Sequence, residues 1–266
     1  MNPEQILVRE RVGAVALLRL NIPARMNPLT LPLQQALRAA LAELREDRSV
    51  RALLLTGTGK AFCVGADLGS MSPPENGSLG QQTADAMESL SNPLIEDLRT
   101  LPFPVVSAVN GACAGAGVGL ALSADVVVAA RSAYFYLPFM PRLGIVPDLG
   151  STWFLERFVG RARALALSLL GDHLSAERAE QWGLIWSCVD DAQLPDAALA
   201  LAQSLAALPA HAAQEMRAVY EAAGRQTLPQ QLRYEAERQR ELIDRPAFAE
   251  GVQAFLAKRE PVFPGR

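Results

Sequence analysis

The segment Asn110-Gly-Ala-Cys-Ala-Gly-Ala-Gly-Val-Gly-Leu-Ala-Leu-Ser-Ala-Asp125 holds almost no side chain able to do chemistry, so whatever it does must come from its main chain. Gly111, Gly115, Gly117 and Gly119, with small alanines among them, let another group approach the backbone closely. The segment follows the apolar run Pro104–Val109, and a strand turning into a helix there leaves N–H groups pointing outward. Such donors can hold a phosphate, or an oxyanion formed during a reaction. A second loop, Gly57-Thr-Gly-Lys-Ala-Phe-Cys-Val-Gly-Ala-Asp-Leu68, follows the apolar run Val50–Thr56. Gly65 frees the backbone there, and the N–H of Ala66 can point at a ligand; taken alone, this is equally a plain strand–loop–helix turn. Two such loops can set two N–H groups against one oxygen. That suits a thioester carbonyl becoming an enolate, because the charge appears only in the transition state.

Other chemistries find no support. The two histidines, His173 and His211, lie in no Ser-His-Asp or His-x-x-x-His context and read as solvent-facing or capping residues. There is no Gly-x-Ser-x-Gly elbow, and Gly59-Lys60 lacks the earlier glycine of a phosphate-cradling loop. Gly115-x-Gly117 looks dinucleotide-like, but position 120 is Leu and no acidic residue follows at the required distance. No metal-ligand spacing appears, so no metal is expected. A net charge of −3 without a basic block argues against nucleic acid. Cys63, Cys113 and Cys188, odd in number and widely spaced, predict free thiols in a reducing, cytoplasmic setting. Met1–Gln5 has no basic or apolar leader character. Thr100–Ala124 carries no charge, but its prolines, Asn110 and glycines predict a strand, a turn and a buried helix rather than a membrane span.

These loops need a frame. Val12–Leu20 is apolar and β-prone, and Pro28–Asp47 places apolar residues at 29, 33, 36, 37, 40, 41 and 44, the spacing of an amphipathic helix. Val50–Thr56, Pro104–Val109 and Asp125–Ala129 read as buried strands, giving an α/β architecture. Gly69–Ala84, rich in Ser, Pro and Gly, predicts a mobile loop bordering the site. Beyond Leu155 the pattern becomes helical over 161–170, 175–182, 195–208, 211–223, 228–243 and 246–259, with one β-run at Leu184–Val189. An α/β body over 1–190 and a helical region over 191–266 follow.

In Asn21-Ile-Pro-Ala-Arg-Met-Asn-Pro-Leu29, Gly59–Leu68, Pro104–Ala130, Leu143-Gly-Ile-Val-Pro-Asp-Leu-Gly-Ser-Thr152, Gly160–Ala164 and Ala254–Arg259, the chain resembles the crotonase family, the enoyl-CoA hydratase/isomerase superfamily. The resemblance runs essentially end to end. It implies a spiral of ββα units, two roughly perpendicular sheets, and a helical C-terminal region used for trimer contacts, in a trimer or a dimer of trimers. It implies an acyl-CoA thioester substrate with no separate cofactor. Ala66 and Ala116 become the oxyanion-hole donors, with Ala116 standing where many members have Gly. Arg25, Lys60, Ala61, Phe62, Gly65, Asp67, Leu68 and Gly115 are expected around the thioester and CoA. Phe255 and Lys258 are expected to reach the CoA of a neighbouring subunit; without the resemblance they are an amphipathic helix ending.

The departures from the family pattern carry as much weight. The two glutamates of the hydratases correspond to Gly119 and to a position near Phe139, and neither is acidic here. Asp148 remains, matching the acid/base Asp of several isomerase branches; by itself it is also a helix N-cap before Leu149–Phe158. Asp67 is the next candidate base, better suited to a structural role. One carboxylate with an oxyanion hole suits a proton shift. Ala112–Gly117, Gly160–Gly171, Leu174–Trp186 and Glu250–Arg259 are similar to the isomerase branch that rearranges an aromatic epoxide thioester to an oxepin and also moves a C3 double bond to C2. Hydration through Asp148 alone and a non-catalytic thioester binder are the competing expectations.

Overall fold

In a computed structural model, described over residues 6–73 and 75–265, the strands are Leu7–Val12 (β1), Val15–Leu20 (β2), Ala52–Gly57 (β3), Ala61–Cys63 (β4), Val105–Val109 (β5), Ala112–Ala114 (β6), Val126–Ala130 (β7), Tyr134–Tyr136 (β8), Leu174–Ser175 (β9) and Ser187–Val189 (β10). The helices are Leu31–Glu46 (α1), Leu79–Ala86 (α2), Asn92–Arg99 (α3), Ala116–Leu122 (α4), Ser151–Leu170 (α5), Ala176–Gln181 (α6), Leu194–Ala206 (α7), Ala212–Ala223 (α8), Leu228–Ile243 (α9) and Pro246–Ala257 (α10). The Met1–Gln5 stretch, judged from sequence to lack a leader, lies outside the described residues.

The two sheets share one logic. The larger runs β1-β2-β3-β5-β7-β10, parallel except for the β1/β2 hairpin; the smaller runs β4-β6-β8-β9, parallel except for β8/β9. The middle strands β3 and β5 are wholly buried, which is why they read as unbroken apolar runs. β1 closes one edge with Arg9, Glu10 and Arg11 exposed, a charged border that discourages further pairing. Each of β3, β5 and β7 passes within a few residues into a short strand of the smaller sheet, and then into helix. This is the ββα repeat that the resemblance implies.

Most of the expected elements are present, with five differences. The run expected at Val12–Leu20 is split by a turn at Gly13 (φ 59), and its first residue ends a separate strand, Leu7–Val12. The strand expected at Leu184–Val189 begins only at Ser187, because Gly183 turns the chain at φ 77. The helix expected at 161–170 is the second half of α5, whose first half, from Ser151, is set off by Gly160 at φ 76 and ψ 160. The loop expected over 69–84 ends earlier: Ser78 accepts a hydrogen bond from the Gln81 N–H (3.1 Å) and starts α2. The short strands β4, β6, β8 and β9, two or three residues each, are too brief to show a period in sequence.

Arg217 of α8 ties the helical region to the α/β body. Its guanidinium makes a two-pronged contact with Asp125 (2.6 and 2.5 Å) and donates to the carbonyls of Arg99 (3.0 Å), Leu101 (2.6 Å) and Phe103 (3.2 Å). Asp125 also accepts the Val105 N–H at 2.8 Å, where β5 begins.

Candidate active site

Two buried amide side chains fix the first donor loop. Asn27, wholly buried and left-handed at φ 55, accepts the Ile22 N–H (2.8 Å) and donates to the carbonyls of Thr58 (3.0 Å) and Ala61 (2.8 Å). Asn110 accepts the Gly57 N–H (3.0 Å) and donates to Gly59 (2.9 Å) and to the same Ala61 carbonyl (3.2 Å). With Ala61 and Phe62 buried, the strand leaving this clamp can only run to Gly65. There the backbone turns at φ 85, and the Gly65 carbonyl accepts the Leu29 N–H at 2.8 Å. A Cβ on Gly65 would lie 2.8 Å from the Ala116 nitrogen and 3.0 Å from the Ala114 carbonyl. The two glycine loops are therefore in direct contact, and only glycine permits it.

Gly115 starts α4 at φ 54 and donates its N–H to Tyr136 of β8 (2.9 Å). The next N–H, that of Ala116, finds no acceptor among the described residues, and neither does that of Ala66. Ala66 itself is exposed. Two free peptide donors on touching loops are the arrangement that an anionic oxygen needs. Asp67, the expected structural neighbour, is paired with Arg25, which ties the Pro23–Arg25 turn to the donor loop. Lys60 and Leu68 lie exposed beside it. Cys63 cannot act as a nucleophile, since burial pushes its thiol up to about 12.

The expectation that Asp148 caps a helix starting at Leu149 is wrong. α5 begins at Ser151, its N-cap is Gly150 at φ 74, and no side chain caps it. Only the Asp148 carbonyl serves the helix, accepting the Ser151 N–H at 2.9 Å. The carboxylate does not cap the helix: Oδ1 is buried without a partner, as is the nearby Ser151 hydroxyl. Burial raises the Asp148 pKa from 3.8 to about 6, opposed only by its own backbone. A carboxylate poised near neutrality and spared structural duty can take and return a proton.

Leu149 follows Asp148 in a constrained backbone conformation. It is non-glycine at φ 48, 4% exposed, and pressed on α4: a Cβ on Gly119 would lie 2.3 Å from the Leu149 carbonyl and 2.9 Å from its Cβ. Gly119 is three residues after Ala116, about one helical turn or ~5 Å along α4. The Asp148 segment therefore sits within about one turn of the donor pair. Phe139, at the other hydratase-like position, is buried with its ring 3.9 Å from where a Gly115 Cβ would be.

The family described as enoyl-CoA hydratase/isomerase matches residues 10–266. The chain belongs to that family. Crotonase relatives include the 1,2-epoxyphenylacetyl-CoA isomerase of Escherichia coli strain K12, 45% identical over 95% of both chains, and a "probable enoyl-CoA hydratase" of Rhodobacter capsulatus, 42% identical over 95% of both. Among solved structures, an enoyl-CoA hydratase from Polaromonas sp. JS666 superposes with a TM-score of 0.89 at 31% identity, covering 97% of this chain and 99% of that one. The crotonase fold and an enzyme of the acyl-CoA hydratase/isomerase type are thereby established.

Phe255 and Lys258 are not gathered at this site. α10 packs on α9 and leaves Phe255 83% exposed, with Lys258 at its left-handed end (φ 52). A cavity of about 600 Å³ lies elsewhere, between Trp153, Leu205 and Met216. Its two acids are both held by arginines, Asp125 by Arg217 and Glu221 by Arg99. Sequence reasoning missed Asn27, Leu149 and Ser151. Asn27 alone left a trace, as an amide-bearing residue that tolerates a left-handed backbone just before Pro28.

Proposed function

We propose that the chain is an acyl-CoA isomerase working through an enolate. The thioester oxygen sits between the N–H groups of Ala66 and Ala116, and Asp148 removes a proton from the adjacent carbon. The negative charge moves onto the oxygen, each donor contributing ~2.7–4 kcal/mol to the transition state. The same carboxyl then returns the proton at another carbon, so no external oxidant, reductant or separate cofactor enters the balance. Arg25, Lys60, Ala61, Phe62, Gly65, Asp67, Leu68 and Gly115 border the thioester and CoA.

The observation that carries this assignment is the lone carboxylate. Asp148 Oδ1 is buried and free, while Gly119 and Phe139 leave no acid at the two hydratase positions. Water addition that needs two carboxylates has only one here. The name of the Escherichia coli relative supports epoxyphenylacetyl-CoA as first substrate and the oxepin thioester as product, with C3-to-C2 double-bond migration second. Hydration is the competing activity, kept in view by the name of the Rhodobacter relative.

The exposed apolar residues of the C-terminal helices support a trimer or a dimer of trimers, with Phe255 and Lys258 turned to a neighbour's CoA. The three free cysteines fit a reducing cytoplasm; among the described residues, no helix is long and apolar enough to cross a membrane. Incubation with epoxyphenylacetyl-CoA, a 3-enoyl-CoA and a 2-enoyl-CoA, with products identified by mass spectrometry, tests the assignment. Isomerised products are expected from the first two. Hydration of the 2-enoyl thioester at a rivalling rate would replace isomerase with hydratase.

A further inference from the structure

Leu149 is the least comfortable buried residue near the site. A branched side chain at φ 48 is rare, because its Cβ crowds the following carbonyl. Such a conformation persists only where its surroundings over-determine it. Here the surroundings are α4: the Leu149 carbonyl and Cβ occupy the space that any side chain at 119 would need. The residues on either side divide the consequences. Asp148 before it keeps Oδ1 buried without a hydrogen-bond partner, and Gly150 after it takes the cap position of α5.

We infer that Leu149 is a positioning residue: wedged against Gly119, it aims the Asp148 carboxyl at the donor loops and closes position 119 to a second carboxylate. This rests on Asp148 being the proton shuttle of the proposed reaction. The geometry explains two features together that a packing role would leave unrelated. A relaxed segment would let Asp148 swing onto the open N–H groups of the first turn of α5, as aspartates before helices do. The left-handed step at Leu149 and Gly150 prevents that, and the absence of a side chain at 119 makes room for the step. The wedge thus sets both where the base points and how many carboxylates the site can hold.

Gly119→Ala tests this directly, since its new methyl must push the Leu149 backbone away. A displacement of about 1 Å at a reacting group costs on the order of 10²-fold. The kcat for 3-enoyl-CoA isomerisation should fall about 10²-fold with KM changed less than about threefold, because the Ala66 and Ala116 donors are backbone groups. The acid limb of the rate profile should move from near 6 toward the ordinary 3.8 as Asp148 gains water. Leu149→Gly, which keeps the left-handed backbone and removes the side chain, is the second variant should Gly119→Ala not fold; about a tenfold loss in kcat is expected. Leu149→Met, conserving volume, should restore most of the rate. A merely structural Leu149 would lower the melting temperature and leave kcat and the acid limb in place below it, and that result in a folded Gly119→Ala or Leu149→Gly overturns the inference. Asp148→Asn, assayed alongside, separates the two layers. Wild-type activity there removes the proton shuttle itself; an inactive Asp148→Asn beside fully active wedge variants removes only the wedge.

Discussion

The donor-loop region and the helical C-terminal region are built on opposite terms. Around Ala66 and Ala116 the loops are held by Asn27, Asn110, Leu29 and Tyr136, and glycines bring chain against chain with no side chain between. In the C-terminal region Tyr220, Leu228, Phe255, Leu256 and Val262 are each more than 70% exposed. The first region is held together by bonds within one chain; the second leaves several large apolar side chains exposed. A preorganised hole costs no reorganisation when the charge forms, whereas an unpartnered helix face gains its stability from whatever covers it.

The strongest way to break the comparison is to remove the one reactive group from the first region. Asp148→Asn should lower kcat by roughly 10²–10⁴, measured in the isomerase assay. The same change should stabilise the protein. A carboxylate whose folded pKa is raised to about 6 contributes stability below 3.8 and loses it as pH rises through 6, so the variant should gain about 1–2 kcal/mol at pH 8 and almost nothing at pH 4. Denaturant titration at the two pH values checks the sign. For the wild type, kcat/KM should decline below about pH 6, where the base becomes protonated.

Arg217→Leu attacks the junction of the two regions. It removes the guanidinium from Asp125 and from the carbonyls of Arg99, Leu101 and Phe103, and should cost about 3–5 kcal/mol in a urea titration. Asn27→Ala, inside the first region, strands the Ile22 N–H and the Thr58 carbonyl. A loss of about 1–3 kcal/mol is expected, with kcat reduced as the Ala66 loop loosens. Phe255→Ala should matter least to the isolated chain, under about 0.5 kcal/mol, because an exposed side chain has little to lose. Sedimentation and CoA affinity are the measurements that sharpen this case. An unchanged oligomer with undiminished affinity would confine Phe255 to the surface.

The contrast also explains what the sequence could disclose. The wholly buried strands β3 and β5 announce themselves as apolar runs, and the donor loops as glycine clusters, because each demand falls on residue type. Asp148 was legible only through likeness to a family: alone, an aspartate ahead of a helix suggests a cap, and the chain refuses that role through two left-handed residues that sequence does not mark. Leu149 is the instructive failure. Nothing about a leucine predicts a positive φ; the demand arises from Gly119, far away in sequence and touching in space. Asn27 and Asn110 converge on one carbonyl for the same reason, a tertiary meeting point without local signature. Exposure of the C-terminal helices was likewise hidden, since an amphipathic period looks alike whether its apolar face meets its own core or another surface.

Arg217 has a consequence for how the chain comes apart. The knot it makes lies at the entrance to β5, the strand that delivers the chain to Ala116, and the arginine belongs to a helix more than ninety residues downstream. Pulling α8 away would expose a carboxylate and three peptide carbonyls at the foot of that strand together. The helical region and the strand feeding the second donor should therefore melt as one cooperative unit, with matched hydrogen-exchange protection. Cutting the chain near residue 190 would then yield no smaller working enzyme, since Arg217, which holds the root of that strand, would leave with the part removed.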